Sequence, residues 1–347
     1  MLRIGVNALY LIPGGVGGTE IYLRSLLPAL AAIDSVNQYV VFTNQETGPD
    51  LVPDQANFTH APLNISASFR PGRILYEQLA LPFARQVDVM FNPGFTAPVL
   101  HPNNVTVFHD LQHKRHPEHF RWFDLPFWNL LLWTSAKRSK RIVSVSQATA
   151  DDLQRFYQTE STVVPHGVDP EFFEIANTRA AEDFLLCVST LHPHKNIDRL
   201  VRAFAKLEDP NAKLVLAGMK GFHAERVEAE IVRLSLRNRV RVTGWIPRAE
   251  LLDLYRRARA IVYPSTFEGF GMPVLEALAA EIPLACSDIE PLKSLASPEA
   301  ILFDPRSEAS MTAALHQLMS AQSKPNTRIR TFTWRRTAEL TLKVLNR

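Results

Sequence analysis

Short apolar runs alternate with helix-like stretches along almost the whole chain. No other feature of the sequence restricts the fold as strongly. Strand–helix–strand repetition marks parallel α/β units, in which crossover helices cover the faces of a sheet. In the first half the pattern predicts strands at 3–9, 38–43, 57–62, 87–91, 105–109, 141–145 and 161–165. It predicts helices at 19–33, 73–86, 122–138 and 147–157, with Pro28 kinking or shortening the first. Phe184-Leu185-Leu186-Cys187-Val188 restarts the pattern. Strands at 184–188, 213–217, 239–243, 260–263, 282–286 and 300–303 then alternate with helices at 197–207, 224–237, 248–258, 273–280 and 307–320, and 334–345 reads as a final helix. From His166 to about residue 182 no clear periodicity is visible, and the stretch holds Gly167 and Pro170. The domain boundary is therefore expected there. That gives domains 1–170 and 171–330, with 331–347 as a closing segment. Two such halves predict a cleft between them, with ligands beyond the C-terminal ends of the strands.

The 347 residues suit two domains, and 46% apolar against 21% charged residues excludes a disordered chain. No apolar run reaches the roughly 18 residues of a membrane span. Met1-Leu2-Arg3 leads straight into Ile4-Gly5-Val6 without a charged-then-apolar leader, so no signal peptide is expected. Cys187 and Cys286 lie in apolar strand-like runs and are expected to be reduced and buried, in a cytoplasmic protein. The net charge of +3 is too small for a nucleic-acid partner. Basic residues do concentrate in 112–141 and 324–347.

The chemistry concentrates in Tyr263-Pro264-Ser265-Thr266-Phe267-Glu268-Gly269-Phe270-Gly271-Met272-Pro273-Val274-Leu275-Glu276. A strand ends, a loop holds an acid and two glycines, and a helix opens with Pro273 in its first turn. Gly269 and Gly271 let a ligand approach the backbone, and the N–H groups of a new helix attract phosphate. Glu268 is placed to reach sugar hydroxyls, and Glu276, expected in the first turn, to accept from a ribose. Two carboxylates beside a phosphate need cations or hydroxyl donors to offset them. The bland alternative is a capped helix with Glu276 set against the macrodipole. Gly14-Gly15-Val16-Gly17-Gly18-Thr19-Glu20 offers amides to an anion or room for an acceptor. It fails the G-x-G-x-x-G dinucleotide fingerprint, because Glu20 stands where the last glycine belongs.

The Glu268/Glu276 pair resembles the paired-glutamate motif of retaining glycosyltransferases of family 4, which have the two-Rossmann B-type fold. The resemblance runs nearly end to end. It extends to the glycine loop, His109-Asp110, Val143-Ser144-Val145-Ser146, Pro165-His166-Gly167-Val168-Asp169, Pro193-His194-Lys195-Asn196 and Phe332-Thr333-Trp334. It is greatest to the mannosyltransferase-like enzymes of bacterial surface polysaccharide assembly. It implies that Phe332-Thr333-Trp334 opens a helix crossing back to the first domain. It implies a donor held by Gly17, Gly18, Lys195, Glu268, Gly269, Phe270, Gly271 and Glu276, with His109, Lys195 and Glu268 catalytic. His109 would stand beside the transferred sugar, donating to one of its hydroxyls or orienting the acceptor. Relatives often carry an Arg six residues before this Lys and another beside it. Here those places hold Ser189 and His194.

The reading is thus a retaining transferase of a hexose, mannose from GDP-mannose as best guess, acting on a glycan or lipid-linked acceptor. A UDP-sugar donor, or a nucleotide-sugar epimerase or hydrolase on the same fold, are the rivals. Bases would be met by Gly244-Trp245-Ile246. No cofactor and no metal are expected. His109, His113, His116 and His119 are spaced like one helical face, but Pro117 interrupts it. The aromatic stretch Trp122–Trp133, flanked by Lys and Arg, is either a helix packed on the first sheet or a patch for the inner face of an anionic membrane.

Overall fold

A computed structural model describes residues 1–15, 17–84, 86–296, 298–322 and 327–347. Val16 of the glycine loop and Lys324 of the second basic segment lie outside the described residues. The chain divides into two compact units: Met1–Gly167 with Phe332–Arg347, and Val168–Thr331.

In the first unit the order is β1 (Arg3–Asn7), α1 (Gly18–Ala31), β2 (Gln38–Thr43), β3 (Phe58–Pro62), α2 (Arg70–Leu79), α3 (Leu81–Ala84), β4 (Val89–Asn92), β5 (Asn104–Phe108), α4 (Gln112–Arg115), α5 (Leu125–Arg138), β6 (Arg141–Ser144), α6 (Gln147–Tyr157) and β7 (Thr162–Val163). The second unit runs α7 (Pro170–Thr178), β8 (Phe184–Val188), α8 (Ile197–Ala205), β9 (Lys213–Ala217), α9 (Ala224–Arg233), β10 (Val240–Gly244), α10 (Arg248–Arg257), β11 (Ala260–Tyr263), α11 (Met272–Ala279), β12 (Leu284–Ser287), α12 (Leu292–Ala296), β13 (Ile301–Phe303) and α13 (Glu308–Ser320). The closing helix α14 (Trp334–Leu345) returns to the first unit.

Both sheets are parallel and Rossmann-like, ordered β3-β2-β1-β4-β5-β6-β7 and β10-β9-β8-β11-β12-β13. Central strands such as β4, β5 and β11 are buried at every residue, as strands covered by helices on both faces must be. That is why they do not alternate apolar and polar residues; the buried polar Asn92 and Asn104 are paired with each other at 3.1 Å. Strand order reverses between β1 and β4 in one unit and between β8 and β11 in the other. At such switch points the loops diverge and leave a crevice beyond the carboxyl ends of the strands.

Three local expectations change. The helix containing Pro28 ends at Ala31, two residues short of the expected 33, and continues past the proline because the lost ladder bond is outweighed by a buried stripe of Tyr22, Leu23, Leu26, Leu27 and Leu30. The expected helix at 73–86 begins three residues earlier and is broken before Pro82 into α2 and α3. Within the stretch read as aperiodic, α7 forms, with Pro170 in its first turn and Phe172 and Ile175 buried.

Helix α14 is capped by Thr333, whose hydroxyl accepts from the Arg336 N–H at 3.1 Å. It is bound to the first unit by Thr337 Oγ1 donating to the Pro165 carbonyl (2.8 Å) and by Arg141 Nη1 donating to the Val344 carbonyl (2.7 Å). Cys187 and Cys286 are buried free thiols, each pushed up to about 12 by burial. Among the described residues no helix is long and apolar enough to cross a membrane.

Candidate active site

The switch point of the second unit brings two of the expected residues into contact. After β8 the chain passes Ser189 and turns through a single 3-10 turn, Pro193–Lys195. Asn196 ends that turn in the left-handed region (φ 59°), a conformation Asn tolerates. Its Nδ2 donates to the carbonyls of Pro264 (3.0 Å) and Pro305 (2.8 Å). Thr266 donates through both its N–H (2.7 Å) and its hydroxyl (3.1 Å) to the His194 carbonyl. The loops after β8 and β11 are thereby tied to each other. The tie sets Lys195 Nζ 2.6 Å from Glu268 Oε1 and 3.1 Å from the hydroxyl of Tyr263, the last residue of β11.

This pair is mostly shielded from water, so its Coulomb attraction is screened less than that of a surface pair. Lys195 is the cation, and Tyr263 a hydroxyl, that the acidic loop requires. Burial and the neighbouring Glu268 carboxylate push the Tyr263 phenol well above its ordinary range, so it stays protonated.

Gly271 caps α11 at φ 103°, a left-handed position that favours glycine, and a Cβ there would meet Leu292 Cδ2 at 2.4 Å. The helix start is poorer in amides than its position suggests. Pro273 has no N–H, and the Val274 N–H is spent on the Gly271 carbonyl at 3.0 Å.

Glu276 departs from expectation. It lies in the second turn of α11, not the first, and is 5% exposed. Its Oε2 accepts from the Tyr255 hydroxyl at 2.5 Å. Burial pushes its carboxyl up to about 7, opposed by the Tyr255 hydrogen bond and by Arg248 and reinforced by Asp169. Arg248 in turn binds Asp169 (2.5 Å) and Glu171 (3.0 Å). Tyr255 and Arg248 went unnoticed in the sequence because nothing in their own segment marks them. A search for hydroxyl donors and cations able to offset Glu276 was the available signal.

Gly269 and the buried Phe270 lie in the same loop of the second unit, and the remaining expected residues belong to the first unit. Gly17 is the N-cap of α1 with φ 61°. The glycine loop carries its own anion: Glu20 Oε2 accepts from the Gly14 N–H at 2.8 Å, and Oε1 binds Arg24 Nε at 2.8 Å. That carboxylate takes an amide the sequence had offered to a ligand.

His109 follows β5 and is 7% exposed, packed against Tyr22, Phe95 and His166 with ring centroids 5.0, 5.2 and 5.5 Å away. Its Nε2 lies 2.8 Å from the Pro93 carbonyl, which can only accept, so Nε2 carries the hydrogen. Nδ1 of the neutral ring is then an acceptor, so the ring has no free N–H for the expected donation. Burial holds this imidazole down at about 4, so it is neutral at physiological pH.

The four spaced histidines do not converge: His113 Nε2 is 2.6 Å from the Tyr157 hydroxyl, while His116 and His119 gather with Glu118. In the aromatic stretch, α5 buries Leu131, Leu132, Ser135 and Ala136 and leaves Phe127, Leu130 and Trp133 outside, next to exposed Phe123 and Trp122 (82%).

Two family models match the chain. That described as Glycosyltransferase Family 4 covers residues 16–172, and that described as Glycosyl transferases group 1 covers residues 168–332. The chain belongs to the group 1, family 4 glycosyltransferases. Among curated relatives of this chain, the O-antigen chain mannosyltransferase RfbU of Salmonella typhimurium is 30% identical over 67% of the chain and 65% of the relative. O-antigen chain mannosyltransferase B of Escherichia coli is 26% identical over the same shares. The matches thus span just under two thirds of those relatives' length. Among solved structures, sucrose-phosphate synthase from Thermosynechococcus elongatus gives a TM-score of 0.74 at 19% identity, covering 99% of this chain and 95% of that one. The lipopolysaccharide outer core galactosyltransferase WaaB gives 0.70 at 16%, covering 99% of both chains. Anabaena HepE in complex with UDP and glucose gives 0.70 at 16%, covering 99% and 96%. At these identities the structural likeness speaks for the fold.

Proposed function

We propose that this glycosyltransferase moves mannose from GDP-mannose, with retention, onto a hydroxyl of a glycan or lipid-linked acceptor in cell-surface polysaccharide synthesis. The observation that carries the reading is the Lys195–Glu268–Tyr263 cluster at the switch point of the second unit. Glu268 binds sugar hydroxyls, and Gly269, Phe270 and Gly271 frame the sugar and diphosphate. Lys195 stabilises the charge that develops on the departing diphosphate. Glu276, once ionised, holds the ribose. Trp245, 65% exposed after Gly244, offers a face to the base. His109 Nδ1 accepts from a sugar hydroxyl. The mannosyltransferase names of the relatives favour mannose over the UDP-sugar alternative.

A thermal-shift panel of nucleoside diphosphates and nucleotide sugars tests this. Ligand at 100 times its Kd stabilises by about 2.7 kcal/mol, so GDP and GDP-mannose should stand apart from the uridine series. A panel without any nucleotide preference rejects the reading. The exposed apolar face of α5, beside Arg121, Lys137, Arg138 and Lys140, supports docking on an anionic membrane surface, where a lipid-linked acceptor resides. Co-sedimentation with anionic vesicles, lost on replacing Trp122, Phe127 and Trp133 by Ser, is the expected result. Equal sedimentation of both proteins discards the docking face.

A further inference from the structure

The first unit has a switch point of its own, and a buried cation stands at it. Tyr10 follows β1, and Gly94, Phe95 and Thr96 follow β4, the two strands between which the order reverses. A Cβ on Gly94 would meet the Tyr10 ring at 2.3 Å, so the two loops touch. Phe95 sits at φ 71°, a strained position for a bulky residue and one of the kind that gathers at ligand sites. The same loop holds His109 through the Pro93 carbonyl, and Thr96 bonds the carboxylate of Glu77.

Arg73, in the first turn of α2, is coupled electrostatically to Tyr10 and Glu77 and is 6% exposed. Its Nε is buried without a hydrogen-bond partner, and among the described residues its guanidinium makes no ion pair. Glu77, one turn further along α2, supplies counter-charge, but its oxygens are engaged by Thr96, Asn7 and Gln78. A buried guanidinium left without partners is costly, and its planar fork matches an oxyanion that accepts two parallel N–H bonds.

We infer that Arg73 seats an oxyanion, a phosphate or a carboxylate, carried by the acceptor at the switch point of the first unit. That the anion belongs to the acceptor rests on the transferase reading, whereas the seat itself does not. Both phosphate and carboxylate present the geometry a guanidinium fork recognises, and the acceptor's own chemistry decides between them.

Isothermal titration of the full-length chain with inorganic pyrophosphate and, separately, with glucuronate tests the seat, at constant ionic strength because anions compete. Wild type, Arg73→Met and Arg73→Lys are compared. Arg73→Met should weaken the Arg73-dependent binding by about 10- to 100-fold, the scale of losing hydrogen bonds to a charged group. Arg73→Lys keeps the charge but loses the fork, and should weaken it by an intermediate factor. Should the Met variant fail to fold, the Lys variant decides alone. Preference for pyrophosphate assigns a phosphate on the acceptor, and preference for glucuronate assigns an acidic sugar. Binding of neither probe, or equal binding by wild type and folded variants, overturns the proposal. Nucleoside diphosphate binding measured on the same proteins reports on the donor reading separately, so either can fail without the other.

Discussion

Glu276 shows how a buried carboxyl is held at the expense of stability. Its carboxyl titrates at about 7 in the folded chain, against about 4.3 when unfolded. Between those values the native state holds the extra proton. The contribution is therefore complete below about pH 4.5 and is lost as pH rises through 7, a swing of about 3 kcal/mol. Glu276→Gln should thus be close to neutral in urea melts at pH 4.5 and stabilising by about 1–3 kcal/mol at pH 8. A stabilisation independent of pH would contradict the buried, raised carboxyl. If Glu276 holds the ribose, the same substitution lowers transfer, and so does Lys195→Ala, each by roughly 10²-fold, the effect of removing one preorganised polar contact. Near-normal turnover in both variants would dissolve the site. At this scale the residue types of the 263–276 loop singled out Glu268, Gly269, Gly271 and Glu276, whereas Lys195 entered only through the resemblance. The partner Tyr255 was not legible, because a hydroxyl on another helix leaves no mark beside the residue it serves, and Tyr263, though it heads the quoted stretch, showed no tie to Lys195. Arg73 was invisible for the same reason: burial without a partner is a property of packing.

Among the elements, the strands were the most legible, since a parallel strand buried on both faces is predominantly apolar rather than alternating. Helix α7 was missed because nine residues with two buried side chains carry too little periodicity, and the Gly and Pro around it imitate a linker. The return of α14 came from resemblance rather than pattern, and its cause lies in contacts that only the structure displays. The Gly167 position decides how closely that helix approaches: a Cβ there would lie 2.2 Å from the Trp334 nitrogen and 2.5 Å from the Thr333 carbonyl carbon. Backbone cannot yield as a side-chain tip can. Gly167→Ala should therefore destabilise the first unit by about 1–3 kcal/mol, the usual range for overpacking. Faster proteolysis near the start of α14 should accompany it. Gly18→Ala is the control, because an added Cβ there meets nothing within 4 Å. It should stay within about 0.5 kcal/mol of wild type. Equal stability of both variants would mean that α14 is not held through this contact.

For the whole molecule, the alternation of strands and helices was enough to read two α/β halves, but not their opposite responses to acid. Buried imidazoles concentrate in the first unit. Burial pushes His109 and His113 down to about 4, and drives His166 well below its ordinary value, with His109 adding repulsion. An unfolded imidazole takes up its proton near 6.5, so each native ring contributes stability above that pH and loses it as pH falls toward 4. The second unit holds the buried Glu276, whose contribution grows over the same descent from pH 7. Its ion-paired carboxylates Glu230 and Glu308 are held below their ordinary value, so they begin to lose stability only near pH 4.5 and leave the window above it clear. Acidifying from pH 7.5 to pH 5 should therefore weaken the first unit, by about 2 kcal/mol each for His109 and His113 over that interval, with His166 adding to the loss and the buried Glu77 carboxyl, raised by burial, opposing part of it. It should strengthen the second by roughly 2–3 kcal/mol through Glu276. Calorimetry at both pH values, with hydrogen exchange corrected for intrinsic rates to assign each transition, should show the first unit moving down and the second up. Parallel movement of the two transitions would mean that the buried groups do not govern the acid response. Glu276→Gln should then abolish the rise in the second unit while leaving the fall in the first untouched, which ties each half of the response to the side chains named for it.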